Sequence, residues 1–267
     1  MSASRPRAAG SGARIRALLR KELRELRRNR GLLGAMAILP TIFVALMIGV
    51  NLLVLHTAVP PGMTQGLLPP AGLGPDLATR ILINDQLMFM QLMIPVILPT
   101  VIAAHSVIGE KQGRTLEPLL ATPIRTWELL VAKTLAAVSP AVVLSWLAYG
   151  VTLAGVSLAA DAAITRYLLR PLWSVGMLAV APLLSLLSAT GTVIISSRVN
   201  DLRTAQALAG IGVVPLLVLG MSVLLGRRFL DTPFLVWSIL TLVPLDLGLL
   251  WLATRLFRRE AILTHWS

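Results

Sequence analysis

Two acidic residues, Asp246 and Glu22, stand among apolar residues, where a carboxylate can do chemistry and is costly to keep. Asp246 lies about midway along an apolar run over residues 234–257. A carboxylate at the centre of a membrane helix costs about 2.5 to 3.5 kcal/mol on insertion scales, so a place in a cation or substrate path is the default hypothesis. A packing contact to Ser, Thr or Asn of a neighbouring helix, or a span drawn one turn too far outward, explains Asp246 equally well.

Glu22 belongs to a basic amphipathic helix. At 100° per residue the helix has one apolar stripe, formed by Ile15, Leu18, Leu19, Leu23 and Leu26. The basic remainder of the circumference predicts a helix on the cytoplasmic membrane surface, attracted by anionic lipid. Glu22 lies inside the stripe, and the residues three and four positions away are apolar or acidic. It therefore needs a partner from elsewhere in the fold, and the candidates are Lys111, Arg114 and Arg125.

The remaining residues form no catalytic constellation. Cysteine is absent, which excludes disulfides, thiolate nucleophiles and thiolate metal sites. No His-Glu-x-x-His zinc motif and no Gly-x-Ser-x-Gly motif occur, and the three histidines are far apart. Gly109 and Gly113 follow an apolar helix and are too closely spaced for a nucleotide-binding Walker motif. We therefore expect no enzyme activity and no cofactor or metal on this chain.

The stretch 109–128 is dense in turn and cap residues. Gly109 and Gly113 can release a helix from its membrane span. A short helix follows, whose start, apolar body and stop are, in order, Thr115, Glu117 and Pro118, then Leu119, Leu120 and Ala121, then Thr122 and Pro123. Thr126 is placed to cap the next helix, with Glu128 near its positive end. A membrane hairpin needs only a few polar residues, so this stretch predicts a cytoplasmic docking element.

The elements that position these residues are membrane spans. The chain has 56% hydrophobic and 13% charged residues and a mean hydropathy of +0.80, whereas soluble domains carry about 25% charged residues. At about 20 apolar residues per span, six runs are present, over residues 32–55, 86–108, 127–158, 172–197, 205–225 and 234–257. We therefore predict an all-α membrane protein with six transmembrane helices.

The distribution of basic residues predicts the orientation. Of 24 Lys and Arg, 19 lie on the side that holds both termini, and five lie on the other: Arg80, Arg166, Arg170, Arg227 and Arg228. By the positive-inside rule both termini are cytoplasmic, in a multi-pass protein of the cell membrane. The net charge of +12 is thereby explained by topology, and we expect no nucleic-acid partner.

The order of these features resembles the permease subunits of type-2 ATP-binding-cassette exporters, the ABC-2 family. The resemblance rests on Arg20-Lys21-Glu22-Leu23, on the stretch from Glu110 to Pro123 and on Trp127-Glu-Leu-Leu-Val-Ala-Lys133, with 197–206 and 256–260 also similar. Arg114 departs from the family pattern, as an insertion or as a replacement of a glycine.

The resemblance implies a function and its partners. Residues 117–122 would form a coupling helix seated in a groove of a cytoplasmic ATPase, between spans two and three, with an interfacial helix beside it that includes Lys21, Glu22 and Leu23. The implied coupling residues are Glu110, Gly113, Thr115, Leu116, Glu117, Pro118, Leu119, Leu120, Thr122 and Pro123. Two permease subunits, identical or paralogous, would form the pathway with two ATP-binding subunits, which would hold ATP and Mg²⁺. Residues 1–31 would be tail and interfacial helix, and residues 32–267 the six-span domain.

Two other classes stay open. An ion-coupled secondary transporter or channel would use Asp246 and need no ATPase. An intramembrane enzyme is disfavoured because no catalytic constellation is present. Lipids, drugs, peptides, sodium and glycans are all compatible with the sequence as substrates.

Overall fold

A computed structural model describes residues 10–56, 75–113, 124–159, 162–213 and 232–256. Within these ranges all regular structure is helical. The α-helices are α1 (Ser11–Arg28), α2 (Arg30–His56), α3 (Pro75–Gln91), α4 (Ile94–Gln112), α5 (Thr126–Ala159), α6 (Ala162–Leu168), α7 (Pro171–Val175), α8 (Ala181–Arg198), α9 (Leu202–Gly210) and α10 (Thr232–Leu256). A π-helical turn, Gly176–Val180, joins α7 to α8, and a 3-10 turn, Ile211–Val213, follows α9. The all-α prediction is confirmed for this part of the chain.

Five segments in the described ranges are long and apolar enough to cross a membrane. They are Arg30–Leu53, Asp76–Gln112, Thr126–Ala159, Pro171–Arg198 and Pro233–Leu256. Four of them agree with predicted runs to within a few residues. The remaining run, 205–225, begins in α9 and continues outside the described residues, so the count of six stays a prediction.

The second span is longer than its apolar run of 86–108. It begins at Asp76 and is divided at Leu92 and Met93 into α3 and α4. Pro95 explains the division, because it has no N–H for the carbonyl of Gln91. The polar residues of α3, which the run excluded, are held inside the fold by neighbouring helices.

Small residues bring the spans close together in the half of the bundle nearer α1. Buried alanines line the contacts between α4, α5 and α8, among them Ala103, Ala137, Ala141 and Ala189. Such residues let helix backbones approach closely in a bilayer, where the hydrophobic effect does not drive helix association. The opposite half is filled by larger side chains, including Met47, Met88, Trp173 and Met177.

Large apolar side chains remain exposed on the outward faces of α2, α5 and α10. Ile38 is 59% exposed, Leu147 59% and Trp237 69%. These faces are compatible with a lipid environment, which confirms a multi-pass membrane protein.

Candidate functional site: a buried ion cluster at the end of the second span

Helix α1 packs against the beginning of α5. Leu18 is buried against Leu129 and Ala132, and Ile15 and Ile124 cover the contact. This apolar contact fixes α1 to a protein surface along its buried stripe, as the position of Glu22 required.

An ion pair and a turn secure the two ends of α1. The Arg14 guanidinium lies 3.3 Å from the carboxylate of Glu128, whose side chain is fully buried. At the other end, the backbone N–H of Asn29 donates to the carbonyls of Glu25 and Leu26. The Asn29 side chain accepts from the N–H of Leu32, which joins α1 to α2.

Glu22 is 6% exposed and pairs with Lys133 of α5 at 3.0 Å. Its second oxygen accepts a hydrogen bond of 2.7 Å from the Ser106 hydroxyl of α4. The prediction of a partner from elsewhere in the fold is confirmed, but Lys133 was not among the named candidates. Of those, Lys111 binds elsewhere and Arg114 lies outside the described residues. Lys133 could have been suspected, because it lies within the apolar run of the third span, where a lysine needs an acidic partner.

Glu110 joins the same cluster from the last turn of α4. One carboxylate oxygen lies 2.8 Å from the Lys133 ammonium and the other 2.7 Å from that of Lys21. Lys133 therefore reaches three acceptors with its three N–H groups: Glu22, Glu110 and the Ser106 oxygen at 2.8 Å. We call Lys21, Glu22, Ser106, Glu110 and Lys133 the cytoplasmic cluster.

Lys21 is the half-buried member of the cytoplasmic cluster. Burial alone would lower its pKa, but the hydrogen bond to Glu110 and the charges of Glu110, Glu22 and Glu25 outweigh burial and raise the pKa of Lys21 above its usual value. Oxygens of Glu22, Glu25 and Glu110 lie within 4.8 Å of one another, a spacing that can hold a cation. The Lys21 ammonium lies within 4.0 Å of all three carboxylates and supplies that positive charge.

Lys111, the next residue, extends to the other side of α4. Its ammonium donates to the carbonyls of Ser197 at 2.7 Å and Val199 at 2.9 Å. These carbonyls lie at the carboxyl end of α8, where helix carbonyls lack intrahelical partners and attract positive charge. Adjacent residues of α4 thus bind different neighbours.

The junction between spans two and three differs from its prediction in two details. The helix continues through Gly109 and ends with Gly113 as its cap, so Gly109 is not a breaker. Thr126 is the first residue of α5, and the cap is made by Glu128, whose carboxylate accepts from the N–H of Arg125 at 2.9 Å. Residues 114–123, which hold most of the proposed coupling residues, lie outside the described residues.

A cavity of about 350 Å³ adjoins the cytoplasmic cluster between α1, α4 and α5. Its walls combine cluster residues with Asn29, His105 and the apolar Leu26 and Ile102. Charged side chains thus line a space large enough for several water molecules.

The sequence profile of the ABC-2 family transporter proteins matches residues 16–235, which include α1, the cytoplasmic cluster and four of the five described spans. The chain belongs to the ABC-2 family. Comparison with curated proteins gave no match. The resemblance seen in the sequence is therefore confirmed, and this ABC transporter permease places its buried ion cluster beside the junction of spans two and three.

At the opposite end, the permease has a second polar group that the sequence did not reveal. Asp85 is 8% exposed and accepts hydrogen bonds from the Tyr167 hydroxyl at 2.7 Å and the Trp173 indole N–H at 2.9 Å. Burial, together with the neighbouring Asp85, raises the pKa of Tyr167, which keeps its hydroxyl a donor. The second run was taken to begin at residue 86, so Asp85 was assigned to a connection.

Asp246 of the permease is 2% exposed. Among the residues that the structure describes, neither of its carboxylate oxygens has a hydrogen-bond partner. Leu250 and Ala253, which lie on the same face of α10, pack in the core with α5 and α8. A span drawn too far outward therefore no longer accounts for Asp246, whereas a pathway and a packing role both stay open.

Proposed function

We propose that this chain is the permease subunit of an ATP-driven exporter. The family match over residues 16–235 carries the proposal, because ABC-2 permeases work with an ATP-binding subunit. Two copies of the chain, or the chain and a paralogue, would enclose the pathway with six spans each. Two separate ATPase subunits would hold ATP and Mg²⁺ and perform the hydrolysis, so this chain itself would not be an enzyme.

The proposed contact with the ATPase is the junction between α4 and α5. Residues 117–122 would form the coupling helix, framed by Glu110 and Gly113 on one side and Thr122-Pro123 on the other, with Thr115 and Leu116 at its start. The described flanks support this placement, since α4 ends at Gln112 and α5 begins at Thr126, with the proposed interfacial helix α1 packed beside them. Closure of the ATPase subunits would then push on the cytoplasmic ends of the second and third spans.

A pull-down tests the coupling assignment. Leu119→Asp together with Leu120→Asp should release the ATPase subunit, because a docking surface loses apolar contact and gains unpaired charge. Leu158→Asp is a matched control, since Leu158 is 90% exposed at the far end of α5. Co-purification of the ATPase with the double variant at the level of the control would refute the coupling helix.

The burial of Asp246 favours a second candidate, an ion-coupled transporter. A mid-membrane carboxylate without a donor among the described residues could take up and release a driving cation. Efflux from proteoliposomes separates the two candidates. An ATP-driven exporter should need ATP, ignore an ionophore and keep its ATP dependence in Asp246→Asn. Transport that persists without ATP and stops with the ionophore would establish the ion-coupled reading instead.

A further inference from the structure

The chain uses lysine very sparingly. Among its 24 basic residues only Lys21, Lys111 and Lys133 are lysines, and the rest are arginines. All three bind at the cytoplasmic end of the bundle, and each contacts Glu110 or is the residue next to it. An ammonium is a compact charge with three freely turning donors, which suits a position where one cation must reach partners on several helices.

On the Glu110 side, charge replaces packing. The carboxylate of Glu110 reaches Lys21 on α1 and Lys133 on α5, and the 350 Å³ cavity lies between these helices. Helices α1 and α5 are themselves closely packed through Leu18, Leu129 and Ala132. The α1–α5 pair is thus one packed unit that faces α4 across ion pairs and a cavity.

On the Lys111 side, packing and charge act together. Ala104 and Ile108 of α4 are fully buried against Ala205 of α9, with Val199 and Leu202 covering the contact. The two hydrogen bonds of Lys111 fasten the same end of α4 to the turn between α8 and α9. No comparable cavity separates these elements in the described part of the chain.

We propose that Glu110 and Lys111 are positioning residues that divide the cytoplasmic half of the permease into two bodies. One body is α1 with α5, and the other is α4 with the α8–α9 turn. The bodies separate at the cavity, where water replaces the ion pairs of Glu110, while Lys111 carries the α8–α9 turn along with α4. The pivot is the alanine-lined contact between α4, α5 and α8 deeper in the membrane.

The choice of opening follows from what water can replace. Water hydrates a carboxylate and an ammonium well, so opening the Glu110 side exchanges one polar environment for another. Opening the Lys111 side would expose apolar surface of Ala104, Ile108 and Ala205, which water does not compensate. The proposal rests on the proposed function in one respect, since force from an ATPase would enter next to Glu110 and Lys111.

Distances between spin labels test the two-body arrangement directly. Because the chain lacks cysteine, pairs can be introduced without removing native thiols. Arg24→Cys with Gln112→Cys spans the cavity, and Gln112→Cys with Arg203→Cys spans the Lys111 side; all three positions are exposed. Pulsed electron resonance on the full chain in lipid nanodiscs gives each distance distribution, and it requires neither ATPase nor substrate.

Glu110→Gln removes both ion pairs with little change of shape. It should add a longer component to the Arg24–Gln112 distribution, displaced by roughly 5 Å, about one helical turn, and leave Gln112–Arg203 unchanged. Lys111→Met should broaden Gln112–Arg203 and leave Arg24–Gln112 unchanged.

A milder pair of variants covers the case in which Glu110→Gln does not fold. Lys21→Gln should produce the same longer component in smaller amount, and Lys21→Arg, which keeps the charge, should retain the native distribution. If Glu110→Gln or Lys21→Gln leaves the Arg24–Gln112 distances unchanged, or lengthens both pairs together, the two-body proposal is wrong. That outcome would leave the coupling to an ATPase untouched, because the pull-down tests it separately.

Discussion

Lys133 is the residue on which the buried charges of the cytoplasmic cluster converge. It is 4% exposed and contacts two carboxylates and a hydroxyl from two other helices. Removing one partner from such a group leaves an uncompensated charge in a poorly hydrated place. The energetic importance of the cluster therefore differs sharply between its buried members and its exposed neighbours.

Glu22 and Glu25 form a matched pair for measuring that difference. Glu22→Ala breaks a buried ion pair and should lower the free energy of unfolding by about 3 to 5 kcal/mol, with loss of transport. Glu25, which is exposed and lies 3.5 Å from Lys21, should cost less than about 1 kcal/mol when replaced by Ala. Thermal unfolding of the purified variants measures both changes. Equal and small losses would mean that α1 rests on lipid and not on the bundle.

Asp85 and Asp246 form a second matched pair, both buried and differing in their partners. Asp85→Asn should lower the free energy of unfolding by about 1 to 3 kcal/mol, because the amide offers only one acceptor to the two donors, Tyr167 and Trp173. Asp246→Asn should leave stability unchanged or raise it, since no described residue donates to that carboxylate. Denaturation of both variants in detergent compares them. A large loss in Asp246→Asn would show that Asp246 has a donor and serves packing.

Helices α2 and α5 approach each other most closely at Gly155. A methyl group on Gly155 would overlap the end of the Ile48 side chain and lie 2.6 Å from its Cγ1. Gly150 lies in the same helix, and a methyl group there would meet no atom within 4 Å. The two glycines therefore separate the effect of helix contact from that of helix propensity.

Gly155→Ala should lower the free energy of unfolding by about 1 to 3 kcal/mol through overpacking. Gly150→Ala should raise it by up to about 1 kcal/mol, since alanine is the better helix former. Melting temperatures of the purified variants give both signs. Adding Ile48→Val to Gly155→Ala should recover part of the loss, and a double variant no more stable than Gly155→Ala would argue against contact at this point.

At the level of elements, apolar runs in the sequence predicted the spans because a membrane helix must satisfy its own backbone and cover itself with apolar side chains. The same logic placed Glu22 correctly as a residue in need of a distant partner. It failed for Lys133, because choosing among distant cations requires the relative rotation of three helices, which a single sequence does not contain. Asp85 was missed for the related reason that its donors, Tyr167 and Trp173, lie more than eighty residues away.

The whole molecule has two polar ends of different character. The end with α1 holds the lysines, whereas Asp85 and its partners lie at the other end, near Arg80 and Arg170. This asymmetry supports the proposed orientation, with the cytoplasmic cluster inside the cell.

Labelling with a membrane-impermeant maleimide measures the orientation. Gln112→Cys and Ala163→Cys place single exposed thiols at opposite ends of the bundle. In intact cells Ala163→Cys should react and Gln112→Cys should react only after permeabilisation. The reverse pattern would invert the topology and place the proposed coupling segment outside the cell.

The scarcity of lysine also makes this protein unusual towards amine chemistry. Apart from the amino terminus, reagents that acylate or cross-link primary amines can react only with Lys21, Lys111 and Lys133. At neutral pH Lys21, with 36% of its side chain exposed, should be modified before Lys133, with 5%. Loss of the Lys21 charge would loosen the contact that shields Lys133, so modification should proceed in sequence. An amine-reactive fixative applied to cells would thus act on the charged contact between α1 and α4 and alter the conformation that it is meant to preserve.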